Sequence, residues 1–334
     1  MRTGVLLVNL GTPNSPSTAD VRTYLSEFLN DPRVIDIPMI LRKLLVNLII
    51  VPFRSPKSAK IYQKLWTKDG SPLLIHGNAV KEKLQQSLSN EYEVFLAMRY
   101  QNPSLDTVLA VMQKRNFDKV IVLPLFPQYA SSSTGSALEK VMQIISKWYV
   151  IPELKFISQY YNAPGYIQAF AERGRQYNLA EYDHILFSYH GLPVRQVDKV
   201  YGDSPCSEHH CEDHIDDDNK FCYKATCYET TRLIAKQLNL TTAQYSVAFQ
   251  SRLDKKWLEP FSDKVVIQKA KEGAKKMLVF SPAFVADCLE TTIEIGEEYN
   301  ELFKEHGGEK VQLVESLNAH PIWINTLKEL VEKN

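Results

Sequence analysis

Short apolar runs alternate along the chain with longer stretches whose apolar positions recur at helical spacing. The runs at 5–10, 92–98, 119–125, 185–189, 244–249 and 277–280 are rich in β-branched, leucine and aromatic residues and predict strands. Helical patterns cover 18–29, 77–88, 103–114, 135–148, 165–176, 226–238, 265–272 and 291–305. Strands separated by helices predict parallel sheets with helices on both faces. In such sheets the working residues sit just past the carboxyl ends of the strands.

The pattern also repeats faintly. GVLLVNLGTP closes its strand with Gly11, Thr12 and Pro13, and HILFSYHGLP closes its own with Gly191, Leu192 and Pro193. VIVLPLFPQYASSSTGSALE and MLVFSPAFVADCLETTIE share a strand, a proline, an aromatic residue and a polar turn into a helix. Two Rossmann-like domains follow from this, over 1–160 and 161–334. Neither carries G-x-G-x-x-G or G-x-x-x-x-G-K-[ST], which lowers the case for dinucleotide or P-loop chemistry.

Residues 34–53, VIDIPMILRKLLVNLIIVPF, break the alternation. They are strongly apolar yet include Asp36, Arg42, Lys43 and Asn47, with Pro38 and Pro52. A membrane-spanning helix wants about 20 mostly apolar residues with few charges. This stretch instead predicts an amphipathic element, either packed or exposed as an apolar lip.

Composition narrows the picture mainly by exclusion. The 334 residues carry 39 Lys+Arg and 39 Asp+Glu, and that balance argues against a nucleic-acid partner. Such a length buries a core without needing a disulfide or metal staple. The opening MRTGVLLVNLGTP has too short an apolar run for a secretory signal, so a cytoplasmic protein with reduced thiols is expected. Of its five cysteines, Cys206, Cys211, Cys222 and Cys227 are clustered and Cys288 stands apart. That is a local site and not a secreted disulfide framework.

Chemistry concentrates at strand ends. His190 follows the apolar run 185–189 and precedes a glycine, and a neutral imidazole there can accept a proton or hold a borderline metal. Glu290, Glu294 and Glu298 recur at i, i+4 and i+8. On a helix they form a ladder about 12 Å long, either a solvated acidic face or oxygen ligands passing a cation inward. Asp287 extends it. Arg99 and Tyr100 follow another strand, where an arginine suits a carboxylate. FQSRLDKKWLEP follows a third. The run SSSTGS, 131–136, is either an anion site or simply a capped helix start.

Taken together, SYHGLPVR (188–195), SPAFVADCLETTIEI (281–295), FQSRLDKKWLEP (249–260), PQYASSSTGS (127–136), VRTYLSEFLNDPRVID (21–36) and LWTKDGSPL (65–73) resemble ferrochelatase. The matches run in order over nearly the whole chain. The resemblance implies two Rossmann-like domains, each a four-stranded parallel sheet flanked by helices, around a porphyrin cleft. It implies insertion of Fe²⁺ into protoporphyrin IX to form protohaem, with His190 and Glu290 at the catalytic and metal-binding centre. Glu294, Glu298 and Asp287 would then line the metal path. Arg99, Tyr100, Phe126, Tyr129 and Phe284 would contact the porphyrin, and 34–53 would be the lip over the cleft mouth, able to touch a membrane. Cys288 stands where many relatives have His.

Two alternatives remain open at this point: insertion into coproporphyrin III, and a non-catalytic tetrapyrrole carrier with an Fe–S sensor. The resemblance leaves open whether the chain is a monomer or a homodimer. The cysteine-rich insertion, 202–228, has the spacing C-x4-C-x10-C-x4-C. It resembles an internal insertion of some bacterial members, which implies a [2Fe–2S] cluster on Cys206, Cys211, Cys222 and Cys227, with zinc as the alternative.

Overall fold

The computed structural model describes all 334 residues. The chain divides into two compact units, one of residues 1–126, 130–158 and 324–334, the other of residues 127–129 and 159–323.

In the first unit, β1 (Thr3–Gly11), β2 (Tyr92–Tyr100), β3 (Lys119–Pro124) and β4 (Glu153–Phe156) form an all-parallel sheet in the order β2-β1-β3-β4. Val5 to Val8 of β1 have no exposed surface. Burial on both faces is what a parallel sheet covered by helices imposes, and it explains an unbroken apolar run where a half-exposed strand would alternate. Helix α1 (Thr18–Leu29) starts where the Ser17 side chain accepts a hydrogen bond from the Asp20 N–H at 3.1 Å.

Segment 34–53 contributes to a helix that runs through α2 (Met39–Leu44), a π-helical stretch Leu45–Ile50 and α3 (Val51–Leu65). The amphipathic expectation is met on both of its terms. Val46, Val51 and Ala59 pack with Val21, Tyr24 and Leu25 of α1. Met39, Ile40, Leu41, Leu44, Leu48, Ile49 and Phe53 are 51–75% exposed. Arg42 is buried and donates to the carbonyls of Ile35 and Ile37 at 3.3 and 2.9 Å, anchoring the base of the lip. No helix is long and apolar enough to cross a membrane. Helices α4 (Pro72–Ser87), α5 (Leu105–Gln113) and α6 (Ser136–Ile145) also belong to this unit, with α5 and α6 closing the core on Leu6, Val8, Val120 and Val122.

In the second unit, β5 (His184–His190), β6 (Tyr245–Gln250), β7 (Lys276–Phe280) and β8 (Lys310–Leu313) repeat the winding in the order β6-β5-β7-β8. All pairs are again parallel. The helices are α7 (Pro164–Arg175), α8 (Val194–Asp198), α9 (Tyr223–Gln237), α10 (Ser262–Lys271), a π-helical stretch Glu290–Tyr299 and α11 (Asn300–Glu305). A last helix, α12 (Pro321–Glu332), follows β8 and from residue 324 onward belongs to the first unit.

The echo between the two halves is thus a repeated topology. Its glycines have a shared cause. A Cβ on Gly11 would lie 2.0 Å from the Tyr100 carbonyl oxygen, and one on Gly191 would lie 2.8 Å from that of Gln250. In both sheets the end of the first strand presses against the backbone of its neighbour.

Candidate active site

His190 ends β5 and is half-buried, its ring edge-on to Phe284 with centroids 6.3 Å apart and tilted against Trp257 at 6.4 Å. Its Nδ1 lies 2.7 Å from the Gly191 carbonyl oxygen. A carbonyl only accepts, so Nδ1 carries the hydrogen and Nε2 keeps the lone pair in the neutral ring. The Tyr223 hydroxyl donates to the His190 carbonyl at 3.0 Å, fixing the strand end.

Glu290 is half-buried at the first position of the π-helical stretch Glu290–Tyr299. That stretch replaces the α-helix expected over 291–299. Its i→i+5 bonding is rare and concentrates at functional sites. Cys288, fully buried, has its thiol pushed up by burial and then by the adjacent Glu290 carboxylate, to which it is hydrogen-bonded. A protonated thiol donating to Glu290 is a contact the sequence did not disclose.

The acidic ladder does not behave as one unit. Both Glu294 oxygens are engaged: Oε1 accepts from the Ser251 N–H at 2.9 Å and the Tyr299 hydroxyl at 3.1 Å, and Oε2 from Gln250 Nε2 at 3.0 Å and the Ser251 hydroxyl at 2.5 Å. A carboxylate offers about four lone-pair sites, so Glu294 in this arrangement has none left for a cation. The Tyr299 hydroxyl is raised by burial first and then by that carboxylate. Asp287 is similarly occupied, accepting from Asn318 Nδ2 at 2.6 Å and the Ser316 N–H at 3.1 Å. Glu298 is exposed.

Of the expected porphyrin contacts, Phe284 lies beside His190 as described. Phe126 is half-buried, and Tyr129 is half-buried with its ring edge-on to Phe221 at 6.4 Å. Tyr100 is differently placed. It has no exposed surface, and its hydroxyl donates to Asp31 Oδ2 at 2.9 Å, so it presents nothing to a ligand here. Burial, then the Asp31 charge, raises its phenol well above the usual range. Arg99 is paired with the same carboxylate at 2.6 Å and donates to Ser136 Oγ at 2.7 Å, so its carboxylate partner is Asp31 of its own chain. The serine run is also engaged internally: Ser131 Oγ accepts from Arg33 Nη1 at 2.9 Å, and Ser136 donates to Asp31 at 2.5 Å.

The cysteines split three and one. Cys206, Cys211 and Cys222 are buried, with Sγ–Sγ separations of 3.5, 3.6 and 3.7 Å. A tetrahedron with metal–sulfur bonds of ~2.3 Å has edges of ~3.8 Å, so the donor set suits a metal group held by thiolates. Hydrogen bonds from the Cys206 and Cys211 thiols, then Tyr201, hold Cys222 below the usual thiol range. Cys227 lies within α9, fully buried and hydrogen-bonded to Tyr223, outside that group. Tyr201 is the functional candidate the sequence reading missed. Its hydroxyl is 2.9 Å from Cys211 Sγ, and only its place five residues before Cys206 could have drawn attention to it.

Two similarly wound all-parallel sheets flanked by helices give the chain an α/β fold shared with solved chelatases. The fold matches SirB from Bacillus subtilis with Fe3+ at a TM-score of 0.57 and 12% identity, covering 100% of this chain and 95% of that one. It also matches sirohydrochlorin chelatase SirB from Bacillus subtilis subspecies spizizenii in complex with cobalt at 0.56 and 12%, with the same coverage. Sequence goes further than fold. The chain belongs to the ferrochelatase family, whose model matches residues 2–334. It is 45% identical to the Ferrochelatase of Coxiella burnetii (strain Dugway 5J108-111), covering 99% of this chain and 93% of that one. It is 46% identical to the Ferrochelatase of Legionella pneumophila subsp. pneumophila (strain Philadelphia 1), covering 100% and 99%.

Proposed function

We propose that this ferrochelatase-family enzyme, which inserts ferrous iron into a porphyrin in haem biosynthesis, takes protoporphyrin IX and uses His190 and Glu290 as its reacting groups. The observation that carries the assignment is the state of the two side chains. His190 keeps Nε2 as a lone pair among aromatic rings, and Glu290 begins a π-helix in the same unit. Insertion releases two pyrrole N–H protons as Fe²⁺ sheds water and gains four nitrogens. The imidazole and the carboxylate divide proton removal and metal delivery between the two faces of the ring. Bending the macrocycle exposes its nitrogen lone pairs, and Phe284, beside His190, offers an aromatic face for the ring to pack on. Arg99 contributes by holding the strand end in register, and Asp287 and Glu294 by fixing the loops around Glu290.

The apolar lip favours the less carboxylated substrate. Seven large side chains held in water suit a hydrophobic ring and a lipid surface from which it is drawn. A cytoplasmic enzyme resting on a membrane through 39–53 accounts for both the lip and the unpaired thiols. Turnover with Fe²⁺ on both porphyrins tests the substrate, with protoporphyrin IX expected to be converted faster. Faster conversion of coproporphyrin III would overturn the assignment. Co-sedimentation with anionic lipid vesicles tests the lip, with binding expected to fall when Leu48 and Phe53 are replaced by Ser.

For the cysteines, Cys206, Cys211 and Cys222 would supply three thiolates to a [2Fe–2S] cluster, and Cys227 would complete the set only by giving up its Tyr223 hydrogen bond and turning out of its buried place in α9. When bound, such a group supplies one-electron redox chemistry, which iron insertion does not require. Anaerobically purified protein should contain two irons and two sulfides per chain. One zinc per chain would replace that reading.

A further inference from the structure

Gln250 is the last residue of β6 and almost wholly buried. It pairs in register with His190 across the β5–β6 ladder, and its carbonyl accepts from the Gly191 N–H at 2.8 Å. Its side chain turns the other way. Nε2 donates to the Glu290 carbonyl at 3.0 Å and to Glu294 Oε2 at 3.0 Å, while Oε1 accepts from the Ser188 hydroxyl at 2.8 Å. A carbonyl and a carboxylate only accept, so this orientation of the amide is the one that satisfies all its partners. Ser188 is in turn 2.8 Å from the Ser262 hydroxyl.

One residue thus touches the turn that follows His190 through its backbone and the residue that opens the π-helix through its side chain. We propose that Gln250 is a positioning residue for metal insertion, setting the Glu290 end of the π-helix against the His190 strand end. The inference rests on His190 and Glu290 being the reacting pair. Neighbouring contacts reinforce the same bridge. Ser251, with φ of 60°, gives both its N–H and its hydroxyl to Glu294, tying the residue after Gln250 one turn further along the same helix. Glu294 therefore belongs to the clamp that Gln250 begins. A substitution at 250 keeps side-chain volume but loses the geometry: Gln250→Leu removes every side-chain polar contact while leaving the backbone bond to Gly191, and Gln250→Glu sets an acceptor against the Glu290 carbonyl and the Glu294 carboxylate.

A positioning role separates rate from binding, because porphyrin affinity depends on the apolar surfaces while insertion depends on where Glu290 stands. Small misplacements of reacting groups cost up to about a hundredfold in rate. Steady-state insertion of Fe²⁺ into protoporphyrin IX should show kcat lowered about tenfold to a hundredfold in both Gln250 variants. Porphyrin Kd by fluorescence titration should stay close to wild type, while the thermal midpoint falls because buried acceptors lose their donor. Ser188→Ala, which leaves the amide in place but removes its donor, should lose about two- to fivefold. His190→Ala and Glu290→Gln are assayed alongside. If those two keep full activity, the reacting pair itself is misassigned. If they lose activity while both Gln250 variants turn over within twofold of wild type, the positioning role alone is refuted. It is equally refuted if kcat and porphyrin affinity fall together with the thermal midpoint in Gln250→Leu, Gln250→Glu and Ser188→Ala.

Discussion

In the first unit the ends of β1 and β2 are closed by charge: Arg99, Tyr100 and Ser136 all converge on the buried carboxylate of Asp31. In the second, the ends of β5 and β6 are tied by neutral groups, Gln250 and Ser188, and the strand terminates in the half-buried His190. The winding is identical, and so is the glycine pressed against the neighbouring carbonyl. What differs is the residue before that glycine, Leu10 in one sheet and His190 in the other. An ion pair makes a rigid closed end, whereas an amide bridge leaves an imidazole lone pair uncommitted. The same scaffold thereby serves as a support in one half and as a reactive edge in the other.

The largest effect that tests this contrast is chemical. Glu290→Gln or His190→Ala should lower iron insertion about 10²- to 10⁴-fold, as removal of a positioned acid–base group does. Insertion rates near wild type would erase the distinction between the two strand ends. Next in size, Asp31→Asn should destabilise the protein by about 3–5 kcal/mol in urea unfolding, because it leaves the Arg99 cation inside without its counter-charge. Replacing Arg99 by Met as well should restore part of that loss.

Acid should act on the second unit through His184. Burial first, then the nearby Lys269 charge, lowers this histidine to about 4, with Nε2 2.8 Å from the Ser246 hydroxyl. The unfolded chain takes up the proton near pH 6.5 while the folded one stays neutral. Stability is therefore full above pH 6.5 and declines by about 3 kcal/mol as pH falls to 4. Urea midpoints at pH 7 and pH 4.5 should converge in His184→Asn.

The smallest effect compares the glycines. Gly11→Ala and Gly191→Ala should each cost about 1–3 kcal/mol by overpacking. Gly11→Ala should be the worse of the two, since its Cβ would sit 2.0 Å from a carbonyl at a φ of +119°. Activity should drop more in Gly191→Ala, which moves the neighbour of His190. Equal losses in both assays would mean that the two ends are not functionally distinct.

Six strands were legible because each is an apolar run buried on both faces. The edge strands β4 and β8 were not, since Glu153–Phe156 and Lys310–Leu313 are four residues long, mix polar with apolar positions and draw their pairing from β3 and β7. The resemblance alone implied them. All eight helical patterns fall on helices, but α3 and α12 were not read, and the π-helical character of Leu45–Ile50 and Glu290–Tyr299 lies in backbone bonding and not in the spacing of side chains. His190 and Glu290 stood out by their places next to a glycine turn and in an acidic run. Glu294 looked identical to Glu290 in sequence, yet its partners Gln250 and Ser251 come from a strand end more than 40 positions away. The burial of Tyr100 was illegible for a related reason: the carboxylate that holds its hydroxyl, Asp31, is distant in the chain.

A carbonyl abutting a glycine in both sheets also sets a rule for redesign. The residue just before that glycine can be exchanged without rebuilding the strand pair, because the backbone contact is made by its neighbour. Leu10 is therefore the socket for a transplanted imidazole. The obstacle to such a graft is packing: Leu10 is half-buried against the Val21, Tyr24 and Leu25 cluster, and an imidazole there would give up that apolar contact.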